Sequence, residues 1–247
     1  QLAQAQAERQ GVAGQVSALA GQLRFPDVRQ AQAHHADLSR QREEMERALL
    51  QAEQDNRQQQ TRLTQLEAAL RQLTELLRQR GWNVIHDTTA YDRKEGKLER
   101  SRAYTYALEG VQGILQTHPT IEVVLDLHRD GVADSVRLTE NINGKPTAQI
   151  MFFQGMSRTP ESEIAYLPNP HLQENLAFCF QMQLACGRYP GFARKIYLKG
   201  LRYNLHLRGR SSLIEAGAQT NTKEEVWNAM ELLAEVVDTV LDPVTQK

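Results

Sequence analysis

This chain of 247 residues lacks long hydrophobic runs, a cysteine pair suited to a disulfide and an excess of one charge. No apolar run reaches the roughly 18 residues that a membrane-spanning helix needs, and no segment has the basic start and apolar middle of a signal peptide. Basic residues number 29 and acidic ones 30, interleaved along the chain, so no surface for nucleic acid is expected. Because the sequence begins at Gln1 rather than Met, an export signal or anchor upstream stays open.

The two cysteines, Cys179 and Cys186, lie in an apolar stretch that predicts a buried helix. Seven residues of helix separate two Cα atoms by roughly 10 Å, which is too far for a disulfide. We therefore expect two small core side chains rather than a metal-binding or redox pair. They say little about the compartment.

Glycine and proline are both absent from residues 28–80, while the first 80 residues contain 17 glutamines. Nothing in such a stretch stops a helix, so it predicts one long helix. Apolar residues recur at heptad positions with two polar residues on the same seam, which is typical of a coiled coil. The seam consists of Leu49, Leu63, Leu70 and Leu77 at one position and Met45, Ala52, Leu66 and Leu73 at the other, with Asn56 and Gln59 as its polar part.

Two interpretations of this N-terminal extension, residues 1–61, stay open. It is either a coiled-coil arm for self-association or partner docking, with heptads continuing to about residue 80, or a solvated helical linker rich in Ala and Gln. A shorter helix over residues 1–23 would fold back across the turn "RFPD". We expect the inner side of that helix to carry Leu2, Val12, Val16 and Leu19.

From Gly81 onward apolar strands alternate with helices. "WNVIHD" predicts a strand, "ERSRAYTYALEGVQGILQTH" a helix and "IEVVLDLHRD" a buried strand. A hairpin with Asn143 and Gly144 as its turn follows, then the cysteine helix, the strands "RKIYLK" and "SSLIEAG" and a last helix over "TKEEVWNAMELLAEVVDTVL". Helices between apolar strands favour an α/β fold, a mostly parallel sheet flanked by helices, with sites beyond the carboxyl ends of the strands.

His128 and Glu215 would each lie at such a strand end. A neutral imidazole can bind zinc, and a nearby carboxylate can take a proton from zinc-bound water, which is the minimum apparatus for hydrolysing an amide. The competing interpretation is a hydrogen-bonded core histidine and a glutamate that caps the loop before the last helix.

Five motifs occur in one order along the second part of the chain: "VIHDTTAYD", "SRAYTYAL", "HPTIEVVLDLHRDG", "KGLRYNLHL" and "SLIEAGAQTNTKEE". Together they resemble the stage II sporulation protein P (SpoIIP) family over about residues 62–241. Members of that family are similar to the zinc-dependent N-acetylmuramoyl-L-alanine amidases of bacterial cell walls. The resemblance implies an amidase-like domain over residues 62–247.

The resemblance also implies roles for particular residues. His128 matches a zinc (Zn2+) ligand and Glu215 the catalytic glutamate. Ordinary roles compete for the other matching positions: a surface ion pair, a helix cap or a structural histidine. We expect these further positions to bind substrate or to hold His128 and Glu215 in place through second contacts. They are Arg129, Asp130, Asn204, His206 and Asn221.

One segment of the family is missing. Family members begin the catalytic domain with a strand ending in a His-rich segment of the "HTHTSE" kind, which supplies the first metal ligand, and this sequence contains no such segment. The arm has only His34 and His35, whose side chains point about 100° apart on a helix. The sequence therefore predicts an amidase-like zinc hydrolase with an incomplete ligand set.

Two functions compete on this basis. The first is a peptidoglycan hydrolase that cleaves the amide between N-acetylmuramic acid and the stem peptide, with cross-link endopeptidase activity as an extension. The second is a catalytically inactive, peptidoglycan-binding scaffold that docks other wall hydrolases through its coiled coil. The resemblance implies an extracytoplasmic place at the cell wall or membrane during sporulation. The expected partners are peptidoglycan, a SpoIID-like lytic transglycosylase, other engulfment proteins and a second copy of the chain.

Overall fold

The computed structural model describes residues 2–22, 27–94 and 97–242. The chain divides into two compact units, Gln1–Gln60 and Thr61–Lys247. Among the helices of the described residues, none combines the length and the apolar character that crossing a membrane requires.

The first unit is helical, as predicted. It contains α1 (Leu2–Gln22) and the first part of α2 (Val28–Gln79). The Asp27 carboxylate caps α2 by accepting a hydrogen bond of 2.8 Å from the backbone N–H of Gln30. Residues 24–26 of the predicted turn lie outside the described residues.

The inner side predicted for α1 is wrong at two positions. Val12 and Val16 are 59% and 60% exposed. Their neighbours from position 8 to 18 are exposed as well, because this helix is built mainly of Ala, Gln and Gly and has little apolar surface to bury. The other two predicted residues, Leu2 and Leu19, have no described side-chain burial.

The end of α2 belongs to the second unit and is packed into its core. Leu73 and Leu77 are buried there, with Leu66 and Leu70 packed alongside. The helix stops at Gly81, whose φ of 91° suits glycine. Backbone bonds from Gly81 to Arg78 and from Trp82 to Leu77 complete a Schellman motif, as the predicted glycine stop requires.

Strands and helices alternate through the rest of the second unit, which confirms the predicted α/β class. The predicted helix after the first loop is confirmed as a 15-residue α-helix. In chain order the elements are β1 (Arg93–Lys94), β2 (Lys97–Leu98), α3 (Ala103–Thr117), β3 (Val123–Asp130), β4 (Thr139–Ile142), β5 (Lys145–Ala148), β6 (Ile150–Gly155), α4 (Leu172–Ala185), β7 (Tyr197–Lys199), β8 (Arg210–Ala218) and α5 (Lys223–Leu241).

The central sheet has four strands in the order β3-β8-β6-β7. The β3/β8 and β6/β7 pairs are parallel, and the β6/β8 pair is antiparallel. The sheet is therefore mostly parallel, as predicted. Strands β4 and β5 form the predicted hairpin, with positive φ angles at Asn143 (53°) and Gly144 (80°), a pair of residues that suits such a turn.

The strand predicted for "WNVIHD" is wrong. Residues 82–90 have no regular secondary structure. Trp82 and Val84 are partly buried against the core, so these apolar side chains are shielded from water without a strand. The Val84 carbonyl accepts a bond of 2.9 Å from the Arg78 side chain. Among the described residues this segment pairs with no strand, so it forms no ladder.

Side chains alternate between the two faces of the sheet. Leu127, Ile214 and Phe152 belong to the buried core together with residues of α4, α5 and the end of α2. The residues next to them in the strands therefore point to the opposite face. This opposite face, called the site face below, carries Asp126 and His128 from β3 and Leu213 and Glu215 from β8.

The two cysteines lie on the core side. Cys179 of α4 and Cys186, which follows its end, are buried and free, as predicted. Burial raises the pKa of both thiols to about 12. They are therefore protonated and poorly reactive at neutral pH.

Candidate functional site

The site begins with two neighbouring parallel strands. His128 of β3 pairs in register with Glu215 of β8, so the two side chains lie side by side near the carboxyl ends of their strands. This is the edge of an α/β sheet where sites usually form. The strand ends predicted for both residues are therefore adjacent in the structure.

Asp126 completes a small cluster on the same face. It lies two residues before His128 on β3, and its Oδ1 is hydrogen-bonded to His128 Nε2 at 2.9 Å. Sequence reasoning missed this residue. The available signal was the spacing in "LDLH", because residues two apart on a strand share a face.

The charges of the cluster act on one another. Burial lowers the pKa of the His128 imidazole, but the hydrogen bond to Asp126 and the charges of Asp126 and Glu215 outweigh it, so the pKa is raised. Burial also raises the pKa of the Glu215 carboxyl; His128 and Arg194 oppose this rise, whereas the Asp130 and Asp126 charges add to it. The site thus contains a carboxyl that holds its proton more tightly than an exposed one.

One oxygen of Glu215 is available for chemistry. Within the described residues, its Oε2 is buried and has no hydrogen-bond partner. A buried acceptor without a partner is costly in a folded protein, so it marks a place where a water or a substrate group fits.

Helix α3 and a tight turn cover this region. Tyr104 of α3 packs edge-to-face on Tyr203, with ring centroids 5.3 Å apart. Tyr203 packs in the same way on Phe153 of β6 at 4.7 Å. The hydrogen bond from Asn204 Nδ2 to the backbone carbonyl of Tyr104, 2.7 Å long, ties the start of α3 to the turn.

The turn itself is strained. Tyr203 and Asn204 both have positive φ angles, 49° and 58°. Such conformations cost about 1–3 kcal/mol each for residues other than glycine, and they persist only where the surroundings impose them. Here the surroundings are Tyr104 and Phe153. The predicted substrate contact of Asn204 stays a prediction, since its described bond goes to the chain itself.

The next two residues of β3, Arg129 and Asp130, contact residues at and beyond the strand ends. Arg129 donates to the carbonyl oxygens of Ala218 at 2.5 Å and Asn221 at 2.7 Å, beyond the end of β8. Asp130 forms an ion pair of 2.8 Å with Arg194, and both side chains are mostly shielded from solvent. These contacts hold the loops at the strand ends in place.

Asn221 has a similar position in the loop between β8 and α5. Its Oδ1 accepts from the Ala218 N–H at 2.8 Å, and its Nδ2 donates to the Leu138 carbonyl and to Glu225. The next residue, Thr222, is the N-cap of α5 and forms a capping box with Glu225. The helix cap considered for this stretch is therefore formed by Thr222, and the Asn221 amide supports it.

His206 lies in a different environment from His128. Burial and the positive charges of Arg202 and His171 lower its pKa to about 4. It is therefore neutral at pH 7, and its Nδ1 is buried without a partner within the described chain. A substrate contact for His206 stays a prediction.

The described donor atoms around His128 can be compared with the ligand set of a catalytic zinc ion. Catalytic zinc usually takes three protein ligands. In the described ranges, no group of three His, Cys, Asp or Glu side chains is placed to hold a metal ion. Nε2 of His128 is engaged by Asp126. The described side chains around Glu215 are thus one imidazole, that of His128, and the carboxylates of Asp126 and Asp130.

Fold and site together define an α/β protein with an imidazole and a carboxylate side by side at the carboxyl ends of two parallel strands. The family model of stage II sporulation protein P (SpoIIP) matches residues 50–238, well over half of the chain and including the whole site. The chain belongs to this family, a family of sporulation cell-wall hydrolases. No curated protein and no solved structure matches it.

Proposed function

We propose that this protein hydrolyses the amide bond between N-acetylmuramic acid and the stem peptide of peptidoglycan, with Glu215 as general base. Family membership supports the substrate class. The observation that carries the chemistry is the buried, unpartnered Oε2 of Glu215 beside His128. Endopeptidase cleavage of cross-links would use the same groups, because both bonds are amides.

The chain's own groups account for the proton movements of this reaction. Glu215 takes a proton from a water molecule while the water oxygen bonds to the carbonyl carbon. The carbon–nitrogen bond then breaks, and the proton held by Glu215 passes to the leaving amine. A carboxyl whose pKa is raised above its usual value suits both steps, because it accepts a proton more readily than an exposed carboxyl and can then return it.

His128 and Asp126 act on the Glu215 carboxylate through charge. The hydrogen bond to Asp126 keeps the imidazole in one orientation and favours its protonated form. A protonated ring next to Glu215 stabilises the carboxylate that must receive the proton. If zinc is bound, as the family resemblance implies, His128 would instead be neutral and would hold the ion, and the ion would polarise the scissile carbonyl.

Glu215→Gln tests the proposal directly. The amide keeps the shape of the side chain but cannot accept a proton, so release of stem peptides from purified sacculi should fall about 10²- to 10⁴-fold. Glu231→Gln is the matched control, because Glu231 lies on α5 in an exposed pair with Lys145 at 2.9 Å. Undiminished release by a folded Glu215→Gln protein would remove Glu215 from the mechanism.

Metal content tests the zinc part of the proposal. Protein purified without chelator or affinity metal should contain about one zinc per chain by mass spectrometry, and His128→Ala should lose it. Equal zinc content in both proteins, or none in either, would rule out His128 as the ligand.

A non-catalytic scaffold is the second candidate, and one observation favours it. Met45 and Leu49, on the heptad seam of the first unit, are 67% and 62% exposed, which leaves an apolar stripe for a partner helix. On this alternative the domain binds peptidoglycan and the arm docks another wall hydrolase, such as a lytic transglycosylase of engulfment. The protein would then pellet with sacculi without producing cleavage products.

A further inference from the structure

We infer that Tyr104 is a substrate-contacting residue of this site, and that its hydroxyl donates a hydrogen bond to the carbonyl oxygen of the scissile amide. The inference rests on the proposed function and deepens it. It assigns to this chain a donor for the oxygen on which negative charge develops during amide hydrolysis.

The position of Tyr104 follows from ring packing. Its ring contacts Tyr203, and Tyr203 contacts Phe153. Phe153 pairs in register with Leu213 of β8, which lies two residues before Glu215 on the same face. Tyr104 therefore lies over the site face and not over the core face.

Among the described residues, the hydroxyl of Tyr104 forms no hydrogen bond, in contrast to those of Tyr91 and Tyr106. Tyr106 donates to Glu99 at 2.6 Å, and Tyr91 donates to Asp87 at 2.6 Å. In the part of the chain that the structure describes, the backbone carbonyl of Tyr104 accepts a hydrogen bond from Asn204 Nδ2, and the Tyr104 hydroxyl has no partner. A partly buried donor without a partner is a group that a ligand can satisfy.

Nearby negative charges keep this hydroxyl protonated. Burial raises the pKa of Tyr104 well above its usual value, and the charges of Asp126, Tyr203 and Glu215 raise it further. Tyr104 is thus a neutral donor throughout the working pH range. Asp126 and Glu215 are acceptors when ionised, and His128 Nε2 is hydrogen-bonded to Asp126. Tyr104 therefore supplies a hydrogen-bond donor for the substrate, which these groups do not.

The strained turn explains how Tyr104 is held. Asn204 is hydrogen-bonded to the backbone of Tyr104, and Tyr203 packs on its ring. Two consecutive residues with positive φ angles therefore fix the position of Tyr104. Fixing a donor in advance is what stabilises a developing oxyanion, because no reorganisation is needed during the reaction. Asn204 is accordingly a positioning residue for Tyr104.

Tyr104→Phe tests this inference with little disturbance of packing, because the ring stays on Tyr203. With a soluble N-acetylmuramoyl peptide as substrate, kcat should fall about 10²- to 10³-fold while KM changes little. Tyr106→Phe is the matched control on the same helix, since its hydroxyl is bonded to Glu99. Its kcat should equal that of the unmodified protein, and the melting temperature of Tyr104→Phe should stay close to that of the unmodified protein.

The outcomes separate this inference from the proposed function. If the unmodified protein cleaves and Tyr104→Phe retains its kcat, the role of Tyr104 is wrong and the hydrolase function stands. If the unmodified protein cleaves nothing, the hydrolase function fails, and the role of Tyr104, which rests on it, fails with it.

Discussion

One heptad pattern runs along helix α2, but its two halves have different environments. In the second unit, Leu73 is 5% exposed and belongs to the core formed with Ile214 and Val237. In the first unit, Leu49 occupies the same kind of seam position and is largely exposed. The pattern is continuous between them, since neither glycine nor proline interrupts residues 28–80.

The difference shows what a periodic pattern does and does not determine. Spacing places apolar side chains on one stripe of a helix. Whether that stripe is buried depends on what packs against it, and for the second half this is the sheet with α4 and α5. In the first half Met45 and Leu49 are exposed, and the oligomer and docking predictions for the arm both concern this seam.

The largest expected effect is at the buried half of the seam. Leu73→Ala removes a core side chain and leaves a cavity, so the free energy of unfolding should fall by about 2–5 kcal/mol. Leu49→Ala removes an exposed side chain and should change it by less than about 0.5 kcal/mol. Urea denaturation of both variants, followed by circular dichroism, measures the contrast.

A large cost for Leu49→Ala would contradict this contrast and show that the first half of the seam is buried against a partner in solution. Light scattering then identifies a second copy of the chain as that partner. A chain without residues 1–60 should form particles with fewer chains if the arm self-associates, and an unchanged number of chains per particle would leave the arm as a linker.

A smaller effect distinguishes buried from exposed carboxylates in the two regions. At the start of α5, Glu225 is buried and forms an ion pair of 2.7 Å with Arg137. Burial acts to raise its pKa, but hydrogen bonds from Thr222, Asn221 and Arg137 outweigh it and lower the pKa below the ordinary 4.5. Glu225→Gln should lower the free energy of unfolding at pH 7 by about 1–2 kcal/mol.

The pH dependence has a definite sign. Because the folded-state pKa of Glu225 is lowered, its carboxylate stabilises the fold above about pH 4.5, and this contribution is lost as the pH falls through the lowered value. The difference between the unmodified protein and Glu225→Gln should therefore shrink in urea denaturation at pH 3. If the two proteins differ by the same free energy of unfolding at pH 7 and pH 3, ionisation of Glu225 does not contribute to stability.

The smallest effect is expected in the arm. Glu53 and Arg57 form an exposed pair at 3.9 Å on α2. Exposed pairs contribute little, so Glu53→Gln should change the free energy of unfolding by less than about 0.5 kcal/mol at either pH. A change as large as that of Glu225→Gln would mean that this face of the arm is covered in solution.

Much of the fold was predictable from sequence because it depends on local patterns. The long helix, the stop at Gly81, the turn at Asn143 and Gly144 and the alternation of strands and helices all follow from residues near one another in the chain. The strand predicted for "WNVIHD" failed for the opposite reason. A strand needs a neighbour, and residues 82–90 have none within the described ranges.

The candidate site was predictable in part. His128 and Glu215 were placed at strand ends, and the parallel pairing of β3 with β8 makes them neighbours. Tyr104 and Asp126 were missed. Tyr104 lies on a helix, 22 residues before Asp126 and 111 before Glu215, and only the packing of α3 against the turn of Tyr203 brings it to the site face.

Most helices and strands, their order and the residues that share a strand face could be derived from the sequence alone, because these follow from backbone propensity and periodicity. The tertiary structure decided which elements are neighbours, and through them which half of the α2 seam is buried and which side chains surround Glu215. The physical reason is that burial, register and the pKa of a group depend on contacts between residues far apart in the chain. Such contacts form only when the chain is folded.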